Sequence, residues 1–146
     1  MSARRRLLAV AAALKEDRRV HGRRPPGTSK GERMDVQVIG DVTVVTLPAR
    51  VDTTSARDVE AGFNEQLDGG ARSLIADFAD NEYVSSAGLR VFLAVLKFLE
   101  KNDGRIVLCA MQPFVDDVFQ ISGFSELFAI AGTREEALAL FAEGLT

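Results

Sequence analysis

From Met34 onward, short stretches of hydrophobic alternation at period two take turns with longer stretches at helical spacing, and few folds accommodate that succession. Val36 and Val38, then Val42, Val44 and Thr46, alternate on either side of Gly40-Asp41, a pair suited to a tight turn, so a β-hairpin is expected first. Residues 52–67 follow. They carry cap candidates Thr54 and Ser55, with Asp58 three places after the latter, and Val59, Phe63 and Leu67 on one helical face before Gly69-Gly70. Residues 73–78 read as a strand, and Leu89, Phe92, Leu93, Leu96 and Leu99 then keep helical spacing as far as Asn102-Asp103-Gly104. A strand over 106–110 leads to Pro113 at the first turn of a helix containing Phe114, Val118 and Phe119, which Ser122-Gly123 closes. A brief strand at 127–130 precedes Thr133 and Glu136, a capping box that opens a last helix through Leu138, Leu140 and Phe141. Strands joined by helical crossovers must run parallel. The expected class is therefore α/β: an N-terminal hairpin, then βα repeats, in a mixed and mostly parallel sheet of about five strands with about four helices.

Charge marks where this pattern starts. Residues 1–33 carry ten Lys and Arg against three Asp and Glu, whereas 34–146 carry eight against eighteen. The basic part ends in Arg23-Arg24-Pro25-Pro26-Gly27, whose prolines and glycine stop any helix begun in the Ala/Leu run before it. It reads as a flexible extension of a single domain spanning 34–146. The other reading puts the true start at Met34, because codons for Lys30-Gly31-Glu32 can spell a purine-rich ribosome-binding sequence just upstream. The extension has no aromatic residues for stacking on bases and only a short apolar stripe, so neither a direct nucleic-acid contact nor a membrane contact is expected of it. The longest apolar run, residues 7–14, is far short of the ~20 residues a spanning helix needs. Lys15-Glu16-Asp17 stands where a signal peptide would carry its small-residue cleavage site. A single cysteine, Cys109, in an apolar segment fits a reducing compartment, and the expected location is the cytoplasm.

Enzyme chemistry finds little material in 34–146. The one histidine, His21, lies in the extension, so the domain lacks the usual general base, metal ligand and triad partner, and neither a metal nor a cofactor is expected. Gly69-Gly70 ends a helix where a phosphate-cradling loop would begin one. Carboxylate pairs such as Asp116-Asp117 suit solvated helix faces, and a hydrolase built on Asp77 and Asp80 has only their proximity in its favour.

The most informative stretch runs from Asp77 to Leu93. Asp77 ends a strand, 79–84 is expected to be a loop, and Ser85-Ser86-Ala87-Gly88 opens a helix. The serines therefore fall where backbone N–H groups lack partners. Capping explains one serine. A second is less needed, and Gly88 in the first turn weakens a helix unless something approaches its backbone closely. A phosphoryl group is tolerated at such a place, where free N–H donors and the positive end of the helix dipole meet its charge.

Asp77-Phe78 followed by Ser85-Ser86-Ala87-Gly88-Leu89 resembles, in order and spacing, the STAS domain in the form of bacterial anti-sigma factor antagonists. The initial hairpin, the Arg50-Val51-Asp52 turn and the strand from Gly104 to Cys109 extend the resemblance over 34–146. In that family the serine two before the glycine is the phosphoacceptor, which is Ser86 here. Ser85 stands where well-known members have aspartate, a departure that leaves both serines as candidates, Ser86 first and Ser85 second.

The resemblance implies a non-enzymatic partner switch. The unphosphorylated antagonist binds an anti-sigma factor, itself a serine kinase of histidine-kinase-like ATPase fold, and frees the sigma factor; phosphorylation ends the binding and a PP2C-type phosphatase restores it. Asp52, Thr53, Ser85, Ser86, Ala87 and Gly88 are the expected partner-binding residues. Two other classes stay open: a STAS subunit of a stress-signalling or lipid-transport assembly without a phosphorylation cycle, and a small-ligand or nucleotide-binding domain.

Overall fold

The computed structural model describes residues 34–142, and the basic extension lies outside them. Strands β1 (Asp35–Ile39) and β2 (Val42–Thr46) form the expected hairpin, in register from Asp35 opposite Thr46 to Ile39 opposite Val42. Gly40 takes φ +62° at the first turn position, where a side chain would be strained. Next come β3 (Arg50–Val51), α1 (Ala56–Asp68), β4 (Ser73–Asp77), β5 (Tyr83–Val84), α2 (Ser86–Lys101), β6 (Arg105–Cys109), α3 (Pro113–Ile121), β7 (Ala129–Ala131) and α4 (Arg134–Ala142). The main sheet has the order β1-β2-β4-β6-β7 and is parallel except for the hairpin. Among the described residues this is the mixed five-stranded sheet with four helices that the periodicity predicts.

The central strands are covered on both faces, which is why they read as nearly continuous apolar runs. Leu74, Ala76, Ile106 and Leu108 point to one side, into a core with Val59 and Phe63 of α1, Phe92 and Val95 of α2, and Val115 and Phe119 of α3. Ile75, Val107 and Cys109 point to the other, against Ala137, Leu138 and Phe141 of α4. Phe92 holds the first core together: its ring lies 5.8 Å from Phe63, 5.4 Å from Phe78 and 6.2 Å from Phe119, tying all three helices to the end of β4. Such ring pairs add ~0.5–1.5 kcal/mol each beyond their buried area. No helix among the described residues is long and apolar enough to cross a membrane.

Four local expectations are corrected. The stretch 79–84 is not all loop, since Tyr83–Val84 forms β5, which pairs in parallel with β3 as a separate two-stranded ladder. The first helix begins at Ala56, because the segment from Asp52 is held as a capping turn. The strand expected at 127–130 is shifted to Ala129–Ala131: left-handed Gly123 starts a 3-10 turn at Phe124–Glu126, and pairing with β6 sets Val107 opposite Ala129. In α2 the buried face is Leu89, Val91, Phe92, Val95 and Leu99, whereas Leu93 and Leu96 are only partly covered.

Candidate functional site

The site grows from the small β3–β5 ladder. Arg50 pairs with Tyr83 and Val51 with Val84, and the Ser85 N–H extends the pairing by donating to the Val51 carbonyl at 2.8 Å. Strand alternation buries Val51 and Val84 and turns Arg50, Asp52, Tyr83 and Ser85 the other way. The turn before α1 and the start of α2 are thereby brought together, as the serine and Asp52 expectations require.

Asn81, fully buried, holds the ladder in place by donating through Nδ2 to the carbonyls of Pro48 (2.8 Å) and Tyr83 (3.2 Å). The Ala49 carbonyl accepts from the Glu82 and Tyr83 N–H groups at 2.7 and 3.2 Å. Sequence reasoning passed over Asn81, since an asparagine in a predicted loop reads as an ordinary turn residue.

Asp52 organises its own turn. Its Oδ1 accepts from the Thr54 and Ser55 N–H groups at 3.0 and 3.1 Å, while the Ser55 hydroxyl accepts from the Asp52 N–H at 3.0 Å and donates to the Arg50 carbonyl at 2.8 Å. Of the two predicted cap residues, Ser55 occupies the cap position, but its hydroxyl bonds backward and not into α1. The Ser55 N–H above all, then Arg50, the Thr54 N–H and the Ser55 hydroxyl, hold the Asp52 carboxyl below its ordinary range, against an opposing effect of burial. Arg50 Nε lies 3.3 Å from Asp52 Oδ2. Thr53 is exposed beside it.

The two serines differ. Ser85 is the N-cap of α2, with extended backbone (φ −90°, ψ 175°), and its hydroxyl accepts from the Gly88 N–H at 3.4 Å. Ser86 is the first helical residue, exposed, and its hydroxyl makes no hydrogen bond among the described residues. Ala87 is half-buried and Gly88 is buried. A β carbon on Gly88 would stand 2.8 Å from both the carbonyl oxygen and Cγ1 of Val51, and 2.9 Å from Cγ1 of Val84. The close approach inferred for this glycine is thus to the β3–β5 ladder, and it fixes where the helix start sits.

One more cluster borders the site. The Arg50 guanidinium lies 4.4 Å from the centre of the Tyr83 ring, and Tyr83 stacks on Phe114 with centroids 6.3 Å apart and planes at 17°. Phe114, read from sequence as part of an apolar helix pattern, is 57% exposed.

Asp77 serves structure. Its Oδ2 pairs with Arg134 Nε at 2.9 Å and its Oδ1 accepts from the Ala79 N–H at 2.9 Å. Arg134 also donates to Gln37 Oε1 (2.9 Å) and Thr46 Oγ1 (3.3 Å), fastening α4 to β1, β2 and β4. Asp80 is exposed on the loop beyond. Burial first, then the Asp77 charge, pushes the Cys109 thiol up to about 12.

Comparison with known proteins agrees with this architecture. The STAS domain family model matches residues 33–137. A Bordetella bronchiseptica protein named as an anti-sigma factor antagonist, BtrV, is 38% identical over 113 residues, covering 77% of this chain and 97% of its own. A Thermotoga maritima structure described as an anti-sigma factor antagonist superposes with TM-score 0.67 at 21% identity, covering 72% of this chain and 91% of that one. The Bacillus cell-fate determinant SpoIIAA, solved in its phosphorylated form, superposes with TM-score 0.58 at 25% identity over 73% and 96% of the two chains. The chain belongs to the STAS domain family, among the anti-sigma factor antagonists.

Proposed function

We propose that this protein works by partner switching in the cytoplasm. Unphosphorylated, its 34–146 domain binds an anti-sigma factor that is a serine kinase of ATPase fold, and so frees the sigma factor. Phosphorylation of Ser86 ends the binding, and a PP2C-type phosphatase restores it. The observation that carries this reading is the contrast between neighbouring hydroxyls: Ser85 is engaged as a cap, whereas Ser86 is exposed and its hydroxyl bonds to none of the described residues. A Bacillus relative solved in a phosphorylated form supports it.

At the first position of α2 a phosphate meets unpaired N–H groups and the positive end of the helix dipole, so the chain carries it without unfolding. Asp52, Thr53, Ser85, Ser86 and Ala87 make the contact surface; buried Gly88 contributes by setting the helix position. A phosphate adds like charge beside Asp52, whose carboxyl is held below its ordinary range chiefly by the Ser55 N–H. A hundredfold loss of affinity needs only ~2.7 kcal/mol, within reach of one desolvated repulsion.

The test is incubation with the anti-sigma factor kinase and ATP. One phosphoryl group is expected, located to Ser86 by mass spectrometry and absent from Ser86→Ala, while Ser85→Ala is still modified. Ser86→Ala is expected to bind the kinase constitutively and Ser86→Asp poorly. Label on Ser85 would overturn the residue assignment, and absence of any phosphorylation would move the protein to the non-switching STAS subunits.

A further inference from the structure

The geometry points to a further part of the partner surface: the ridge of Arg50, Tyr83 and Phe114 is an anchor on which the anti-sigma factor kinase seats when it addresses Ser86. This inference rests on the reading of Ser86 as that kinase's substrate. The ridge joins three elements, β3, β5 and α3, in one continuous stack of guanidinium on phenol on phenyl. Phe114 is open for an aromatic residue and belongs to neither core, the Arg50 side chain is 62% exposed, and Tyr83 between them is half-buried.

Position makes the ridge part of the footprint. Tyr83 precedes Ser86 by three residues, a separation of at most ~10 Å at ~3.3 Å per residue. A partner that covers ~800 Å² on its side spans a disc of roughly 16 Å radius. A kinase centred on Ser86 therefore covers Tyr83 and extends as far as Phe114, whose ring centre stands 6.3 Å from that of Tyr83, toward the edge of the disc. Arg50 and Tyr83 also share the face of the β3–β5 ladder that carries Asp52 and Ser85.

Aromatic side chains and arginine carry most of the affinity at protein interfaces, and they do so best when held in place before binding. This ridge is held. Arg50 is tied to Asp52, and Gln112 Nε2 donates to the Ala79 carbonyl at 3.2 Å, fastening the start of α3 to the loop after β4. Pro113 at the first helical position fixes the backbone from which Phe114 projects. The complementary surface is an apolar pocket for the Phe114 ring, edged by a carboxylate that receives Arg50.

Calorimetric titration of the unphosphorylated full chain with the kinase loaded with a non-hydrolysable ATP analogue, so that Ser86 stays unmodified, tests this. Phe114→Ala is expected to weaken binding at least tenfold and Arg50→Ala severalfold, and in phosphorylation assays the KM for Phe114→Ala rises while kcat stays. The control is Phe98→Ala, twelve residues beyond Ser86 on α2 and so ~18 Å away, which is expected to bind like wild type. Phe114→Gln serves if Phe114→Ala melts early. Wild-type affinity in both Phe114 variants would overturn the ridge while leaving Ser86 in place, as would loss of self-association with kinase binding unchanged, which assigns the ridge to a second copy of the chain. A wild-type chain that binds no kinase instead sinks the reading of Ser86, and the ridge with it.

Discussion

Gly88 and Val51 are packed so closely that a β carbon on the glycine would stand 2.8 Å from the valine carbonyl oxygen. That oxygen already accepts from the Ser85 N–H, so Val51 cannot withdraw without opening the ladder that positions the site. Replacing a helical glycine by alanine normally gains ~1 kcal/mol. Here overpacking of ~1–3 kcal/mol opposes it. Gly88→Ala is expected to lower stability by about 1 kcal/mol in urea denaturation and to weaken partner binding by displacing Ser86. A stabilised Gly88→Ala protein would show that the contact yields.

The serines are separable by stability alone. Ser85→Ala removes a cap and is expected to lose ~0.5–2 kcal/mol, toward the low end because its bond to the Gly88 N–H is long. Ser86→Ala removes a hydroxyl that has no partner among the described residues, and a shift within ~0.5 kcal/mol is expected. Equal losses in thermal or urea unfolding would contradict the assignment of Ser85 as the cap.

Arg134 and Asp77 join residues 57 apart in sequence, and the Asp77 side chain is only 5% exposed. Arg134→Ala strands that carboxylate, along with the Gln37 and Thr46 groups that met the guanidinium. A loss of ~3 kcal/mol is expected, the lower end for broken buried pairs because Arg134 keeps some solvent contact. Arg134→Met combined with Asp77→Leu is expected to cost less than the two single changes added together, as a double-mutant cycle will measure.

Asp52 supplies a pH signature. Its folded carboxyl titrates below the ordinary value of 3.8, so its contribution to stability is present above that value and lost as pH falls through the folded pKa. Carboxyl-carbon NMR is expected to show Asp52 still ionised where exposed aspartates have half titrated. Asp52→Asn, which keeps the Oδ1 acceptor, is expected to flatten this part of the acid limb. An Asp52 that titrates at its ordinary value would refute the hydrogen-bonded turn.

Long periodic segments were legible in the sequence, and short or distant relations were not. The hairpin at Gly40-Asp41 and the helix opening at Ser85-Ser86 follow from local chemistry, and both stand where expected. The β3–β5 ladder did not show because each strand has two residues, too few to display a period. Leucines at helical spacing form a plausible buried face that includes Leu96. The face chosen by packing instead runs through Gly88, Val91 and Val95, since Gly88 is the residue small enough to meet Val51. Arg134 with Asp77, and Tyr83 with Phe114, are contacts made only by folding, and nothing near either residue in sequence announces them.

Among the described residues, no partner depends on the Ser86 hydroxyl, so that group can be altered and restored with no bond among them to break or remake. The two states then share one architecture and differ only in what an approaching protein meets. Such a switch needs no refolding step between turns, so its tempo belongs to the enzymes that write and erase the mark.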